Sequence, residues 1–276
     1  MTVPISWLYV PGDRPDRFDK AATSGADVVI IDLEDAVDAS RKDRARADAA
    51  AYLSEARGGP AVHVRINDLA TRRGQDDLAA FAEAPGLAAV RLPKMESPAD
   101  LDALDEVFAD RPMPAFALLE SARGMANVHA IAAHPRAAGI ALGEQDLAAE
   151  LSVGEAALDH LRLQAVVAAA AAGIGPVPMS VFANVRDEAG LLDSCRRGRN
   201  LGMFGRTAIH PRQIPLIREA FRPTEAEVSR ARAVVEAADR AELDGVGALV
   251  LPDGRFVDAP IVAKARRVLA LAAEIA

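Results

Sequence analysis

The chain has 276 residues, 51% hydrophobic, 26% charged and 4% aromatic, with a net charge of −8. That composition supplies ample core for a globular protein and excludes disorder, while the acidic balance excludes nucleic acid as the main partner, since phosphate binding needs a basic face. The start MTVPISWLYVPGDRP carries no basic segment followed by a long apolar stretch, and no run approaches the roughly 18 apolar residues of a membrane span.

Short apolar runs alternate with Ala- and charge-rich runs along most of the chain. SWLYVP is followed by PDRFDKAATSG, DVVIIDLED by RKDRARADAAAYLSEAR, AVHVRIN by QDDLAAFAEA, and LAAVRLP by SPADLDALDEVFAD. Then come MPAFALLES with ARGMANVHAIAAH, AAGIALG with a helical stretch through LRLQAVVAAAAAG, PVPMSVFAN with DEAGLLDSCRRGRNLG, and MFGRTAIHP with PRQIPLIREAF. Strands alternating with helices imply parallel strands joined by right-handed crossovers, and eight such units close a (β/α)8 TIM barrel. An open doubly wound sheet is the alternative, but no GxGxxG follows the first strand. The expected barrel covers residues 1–222. Residues 223–276 read as an appendage: a helix from about Glu225 to Glu242, an extended pair turning at Asp253-Gly254, and a helix from about Ile261. This helix-hairpin-helix extension is too short to fold alone and is expected to dock on its own barrel or a neighbour's.

A barrel of this kind gathers its active site at the C-terminal ends of its strands. The polar residues there are Asp13 and Arg14, then Asp32, Glu34 and Asp35, then Arg65 and Asn67, Lys94 and Glu96, Glu120 and Arg123, Glu144 and Asp146, and His210. Glu120 and Asp146, each where an apolar run ends, suggest a hard-cation site, because Mg²⁺ is held by one or two carboxylates plus substrate oxygens. Arg65 needs an anionic partner; a carboxylate of an organic-acid substrate is favoured over a structural carboxylate such as Asp32. Lys94 is expected to be kept protonated by Glu96 and Glu34. His210, followed by Pro211, looks like a helix-entry residue at the rim. His129, His134 and His160 have no zinc spacing. Arg14, Arg17 and Lys20 make a small basic mouth that is either a solvent-facing helix start or a seat for a cofactor's phosphates. The one cysteine, Cys195, fits a reducing cytoplasm and has no obvious histidine partner.

Taken in order, LYVPGDRPDRFDKA, DVVIIDLEDAV, VRIN, LPKMES, LLESARG, GEQDL, AIHPRQI and FVDAP closely resemble the citrate lyase β-subunit family and its relatives, the malyl-CoA and citramalyl-CoA lyases. The resemblance implies a (β/α)8 barrel, Mg²⁺, an acyl-CoA with a 2-oxo acid as ligands, and a homotrimer or hexamer whose tail reaches a neighbouring active site. It implies Glu120 and Asp146 as metal ligands, Arg65 as the clamp on the oxo acid, and Tyr9, Arg14, Lys20 and His210 as coenzyme A contacts. Asp258 of FVDAP resembles the acid/base aspartate supplied from the tail. The chain departs from the family at Glu144-Gln145, where an altered charge beside the ion is expected, and at Ser180, Asn184 and Phe204, where aspartates are usual.

Overall fold

Parallel strands buried on both faces need apolar side chains on both faces, and β2 (Val28–Asp32) is buried at every position. In this computed structural model, which describes residues 3–56, 58–109, 111–243, 249–251 and 254–275, the chain divides into two units, Val3–Phe221 and Arg222–Ala276.

The larger unit is an α/β fold built on one parallel sheet. Its strands are β1 (Ser6–Pro11), β2, β3 (Ala61–Arg65), β4 (Ala89–Leu92), β5 (Ala115–Leu119), β6 (Ala137–Leu142) and β7 (Arg206–Ala208), in the order β6-β5-β4-β3-β2-β1-β7. Each strand lies beside its predecessor, while β7 returns to the free side of β1. Where eight strands are expected, seven form. PVPMSVFAN makes only an isolated parallel bridge between Met179 and Arg206. Pro176 and Pro178 have no N–H to give a ladder, so the segment pairs with the β7 side through Val177 O and through the N–H and C=O of Met179.

The helices between strands are α1 (Phe18–Ala22), α2 (Lys42–Leu53), α3 (Arg72–Ala80), α4 (Ala103–Val107), α5 (Ala122–Ala126), α6 (Val128–Ala132), α7 (Glu144–Leu151), α8 (Glu155–Ala172), α9 (Glu188–Asn200) and α10 (Gln213–Phe221). Two expected helices are shorter than their sequences suggest. Pro15–Arg17 form a 3-10 turn before α1, and ARGMANVHAIAAH breaks at Asn127, whose side-chain amide donates to the Glu96 carbonyl at 2.7 Å. A short polar side chain that bonds elsewhere competes with continuation of the helix.

The smaller unit consists of α11 (Glu225–Leu243), the antiparallel pair β8 (Leu249–Val250) and β9 (Phe256–Val257), and α12 (Ala259–Ile275). Ala231, Val234, Leu251, Val257 and Ala265 form its core. Gly254 sits at φ +85° in the connection between β8 and β9, a conformation glycine adopts without steric cost, while its expected turn partner Asp253 lies outside the described residues. Among the described residues, no helix is long and apolar enough to cross a membrane.

Candidate active site

The ends of β1 to β7 and the Met179 segment surround one cavity of about 410 Å³, whose lining includes Tyr9, Asp32, Arg65, Arg91, Glu120, Gly143, Asp146, Ser180 and Thr207. Glu120 directly follows β5, and Asp146 stands in the first turn of α7. Gly143, between β6 and α7, brings the two carboxylates together. A Cβ built there would fall against Glu120 Cβ, 2.8 Å from Glu120 Oε2 and 3.4 Å from Asp146 Oδ2. Both acids therefore close on one small space that a side chain would fill. Burial, together with the nearby Asp146 charge, raises the Glu120 pKa, while the N–H of Lys94 works against that rise. That N–H donates to Glu120 Oε1 at 2.8 Å. It comes from a residue in the left-handed region, Lys94 at φ 54°, which costs energy for a side chain of this size.

Two oxygen-donor carboxylates with no third acidic, histidine or cysteine partner in a cluster, among the described residues, fit Mg²⁺, which fills its remaining positions with water and substrate. Gly143→Ala is expected to displace Glu120 and weaken Mg²⁺ binding by about tenfold, as disturbing a ligand's support does. Calorimetric titration of Mg²⁺ into the variant checks this, and unchanged affinity would show the cradle to be unnecessary.

Arg65 requires a correction. Its Nε and Nη2 donate to Asp32 Oδ1 and Oδ2 at 2.8 and 2.6 Å, and its Nη1 lies 2.8 Å from Glu34 Oε2. The structural carboxylate thus takes the guanidinium fork that the sequence reading gave to a substrate. Asp32 and Arg65 are paired in register across β2 and β3, which fixes the match. Burial works to lower the Arg65 pKa, yet Asp32 holds it above the ordinary value. Lys94 meets Glu34 at 3.4 Å; Glu96 instead accepts from the Ser121 hydroxyl and faces Arg123. Lys94's pKa is raised: burial opposes this, but Glu34 outweighs it.

The sequence places Glu34 near Lys94, but its environment depends on the fold. It is 4% exposed, and neither carboxylate oxygen gains an aligned hydrogen bond. Burial pushes its pKa up to about 7 despite the Arg65 charge. A carboxyl with a raised folded-state pKa is least costly when protonated. Its stability contribution therefore falls as pH rises from the unfolded value of 4.5 through about 7. In metal-free protein, the unfolding free energy of Glu34→Gln relative to wild type should rise between pH 5 and pH 8.5, by up to about 3 kcal/mol. Denaturant titrations at the two pH values test this, and a pH-independent difference would count against it.

The altered charge expected at Glu144 meets a partner. Arg162 binds it through Nε and Nη2 at 2.8 and 2.6 Å and also pairs with Glu155 and Asp159. These pairs offset the charge of an acid that itself lines the cavity. Ser180 lines the cavity, whereas Phe204 packs edge-on against Phe221 at 5.8 Å.

The four residues expected at coenzyme A differ in exposure. Tyr9 lies in the cavity beneath Arg65, whose Cζ is 4.9 Å from the ring centroid; burial raises its phenol pKa. Arg14 is partly exposed, and its guanidinium is engaged by Asp16 at 2.9 and 2.8 Å. Lys20 is exposed on α1. His210 is exposed just before α10, its Nδ1 accepting from Arg212 N at 3.2 Å. Asp258 belongs to the smaller unit, where its Oδ1 accepts from Ile261 N at 3.4 Å at the head of α12. Cys195 is fully buried, and burial raises its thiol pKa, which leaves it without nucleophilic character.

Several known proteins are similar to this chain. A (3S)-malyl-CoA thioesterase of Cereibacter sphaeroides is 39% identical, over 98% of this chain and 95% of its own. An L-malyl-CoA/beta-methylmalyl-CoA lyase of the same species is 34% identical, over 91% and 89%. The crystal structure of CitE from Mycobacterium tuberculosis, in complex with magnesium, acetoacetate and coenzyme A, matches with a TM-score of 0.84 at 33% identity, covering 99% of each chain. The HpcH/HpaI aldolase/citrate lyase model matches residues 6–211. With ordered motifs, fold and relatives in agreement, the chain belongs to the HpcH/HpaI aldolase/citrate lyase family.

Proposed function

We propose that this protein is a Mg²⁺-dependent carbon–carbon lyase acting on a 3-hydroxyacyl-CoA such as malyl-CoA or citramalyl-CoA, which it converts reversibly to an acyl-CoA and a 2-oxo acid. The observation that carries this reading is the meeting of Glu120 and Asp146 over Gly143. We take the Met179 segment as the remaining stave of an eight-stave barrel around that point.

A divalent ion held there supplies Lewis acidity toward the substrate's carboxylate and hydroxyl. Glu120 and Asp146 hold it, and the Lys94 N–H fixes Glu120. Arg65, locked by Asp32, presents oriented positive charge where negative charge develops during cleavage. In the cleavage direction the hydroxyl loses its proton, the bond between the carbinol carbon and the thioester's α-carbon breaks, and the departing enolate is protonated to the acyl-CoA. Asp258 moves that last proton, reaching a neighbouring subunit's cavity from the tail, so the working species is a trimer or hexamer. Tyr9, Lys20 and His210 contribute to the coenzyme A side.

Hydrolysis is the second reading, supported by the relative that is a malyl-CoA thioesterase. Water would then attack the thioester carbonyl and release free coenzyme A with the hydroxy diacid. Incubating the protein and Mg²⁺ with malyl-, citramalyl-, methylmalyl- and citryl-CoA, with products identified, separates the two. Acyl-CoA plus oxo acid supports lyase, and free thiol without oxo acid supports hydrolase. Turnover of none of the four would overturn both.

A further inference from the structure

The cavity contains a cation that the lyase reading leaves unused. Arg91 of β4 is in register with Arg65 of the adjacent β3, so their side chains leave the sheet on the same face. It is 1% exposed, yet it lines the cavity that contains Glu120 and Asp146.

The two arginines differ in their company. Arg65 is paired with Asp32 and Glu34. Arg91 Nε and Nη2 are buried without a hydrogen-bond partner, and among the described residues no carboxylate pairs with it. Its Cζ lies 5.0 Å from the centroid of the Phe116 ring. His63, whose ring is 5.0 Å from Phe116, brings no negative charge and is held neutral by its burial. Burial lowers the Arg91 pKa to about 10, which leaves the guanidinium charged at neutral pH. A buried, charged fork without counterion is strongly unfavourable, and an anion entering from the cavity removes that penalty. A planar guanidinium suits a carboxylate best.

We propose that Arg91 is an anion receptor at the floor of the cavity, so that within the hydroxyacyl-CoA class this chain prefers substrates whose 2-oxo acid carries a second carboxylate, as that of citryl-CoA does, over malyl-CoA and citramalyl-CoA. The inference rests on the reading of the cavity as an oxo-acid site. Within it, the first carboxylate and the oxo group belong to the Glu120–Asp146 end, and the second carboxylate reaches Arg91. A monocarboxylic oxo acid of equal carbon count leaves the guanidinium unpaired.

The test compares oxaloacetate with 2-oxobutyrate in the presence of Mg²⁺, by rapid equilibrium binding in the cold, for the wild type and Arg91→Met. The wild type should prefer oxaloacetate by at least about tenfold, the order expected of a charge-assisted hydrogen bond. Arg91→Met should lose that preference while its affinity for 2-oxobutyrate stays the same. If Arg91→Met does not fold, Arg91→Lys, which lacks the bidentate fork, should retain less than about a third of the preference. A variant that keeps the full preference overturns the proposal. A wild type that binds 2-oxobutyrate equally well overturns it while leaving the lyase reading intact. Binding of neither acid by the wild type also overturns it, and the lyase reading is then decided by the turnover screen of the four CoA esters.

Discussion

Glu120→Gln and Asp146→Asn are each expected to weaken Mg²⁺ binding by roughly a hundredfold or more, beyond what loss of a supporting residue does. Turnover of a hydroxyacyl-CoA should fall by about three orders of magnitude, since the Lewis acid contributes several kcal/mol at the transition state. Both substitutions preserve shape and remove one negative charge. Glu120 is half-buried, and its Oε1 accepts the Lys94 N–H, a bond that Gln can keep through its carbonyl oxygen. Neither protein should therefore lose its fold, and thermal unfolding of the metal-free forms should stay close to wild type. Added Mg²⁺ should raise the melting temperature of wild type but of neither variant, as binding to the native state alone requires. Calorimetry and melting curves with and without Mg²⁺ decide this. Wild-type Mg²⁺ affinity in either variant would remove the basis of the proposed reaction.

The parallel α/β fold was legible because both-face burial leaves a continuous apolar run such as VVIID, and because polar groups collect where such runs stop. The two carboxylates could be nominated for the same reason. Their common approach over Gly143 could not, because it depends on the turn between β6 and α7. Arg65 shows the limit most clearly. Its need for an anion was plain, but the choice between Asp32 and a substrate depended on the register of β2 and β3. Arg91 had a visible signal, a charge inside the apolar run LAAVRLP, but its lack of any partner depends on every strand around it. Arg162 was hidden because Glu144, one of its partners, is 18 residues away. The short helices fell outside the pattern for local reasons, notably the side-chain bond of Asn127 to Glu96.

Asp258→Asn should leave Mg²⁺ and 2-oxo acid binding nearly unchanged while turnover falls by about two to four orders of magnitude, the usual contribution of a positioned acid or base. Asn is the informative replacement because Asp258 has a second task. Its carboxylate accepts from Ile261 N at the head of α12, and Asn serves such a position about as well as Asp, whereas Ala costs about 1 kcal/mol there. A loss of turnover in Asp258→Ala alone would thus mix capping with chemistry, but in Asp258→Asn it reports the proton. The same substitution tests whether the aspartate serves its own chain or a neighbour. Co-expressed Asp258→Asn and Glu120→Gln chains, each inactive alone, can form mixed oligomers. If the tail crosses between subunits, some sites in those oligomers combine an intact Glu120 with an intact Asp258, and activity returns. If each chain completes its own site, no mixed oligomer regains turnover. Full activity of Asp258→Asn by itself would remove this residue from the mechanism.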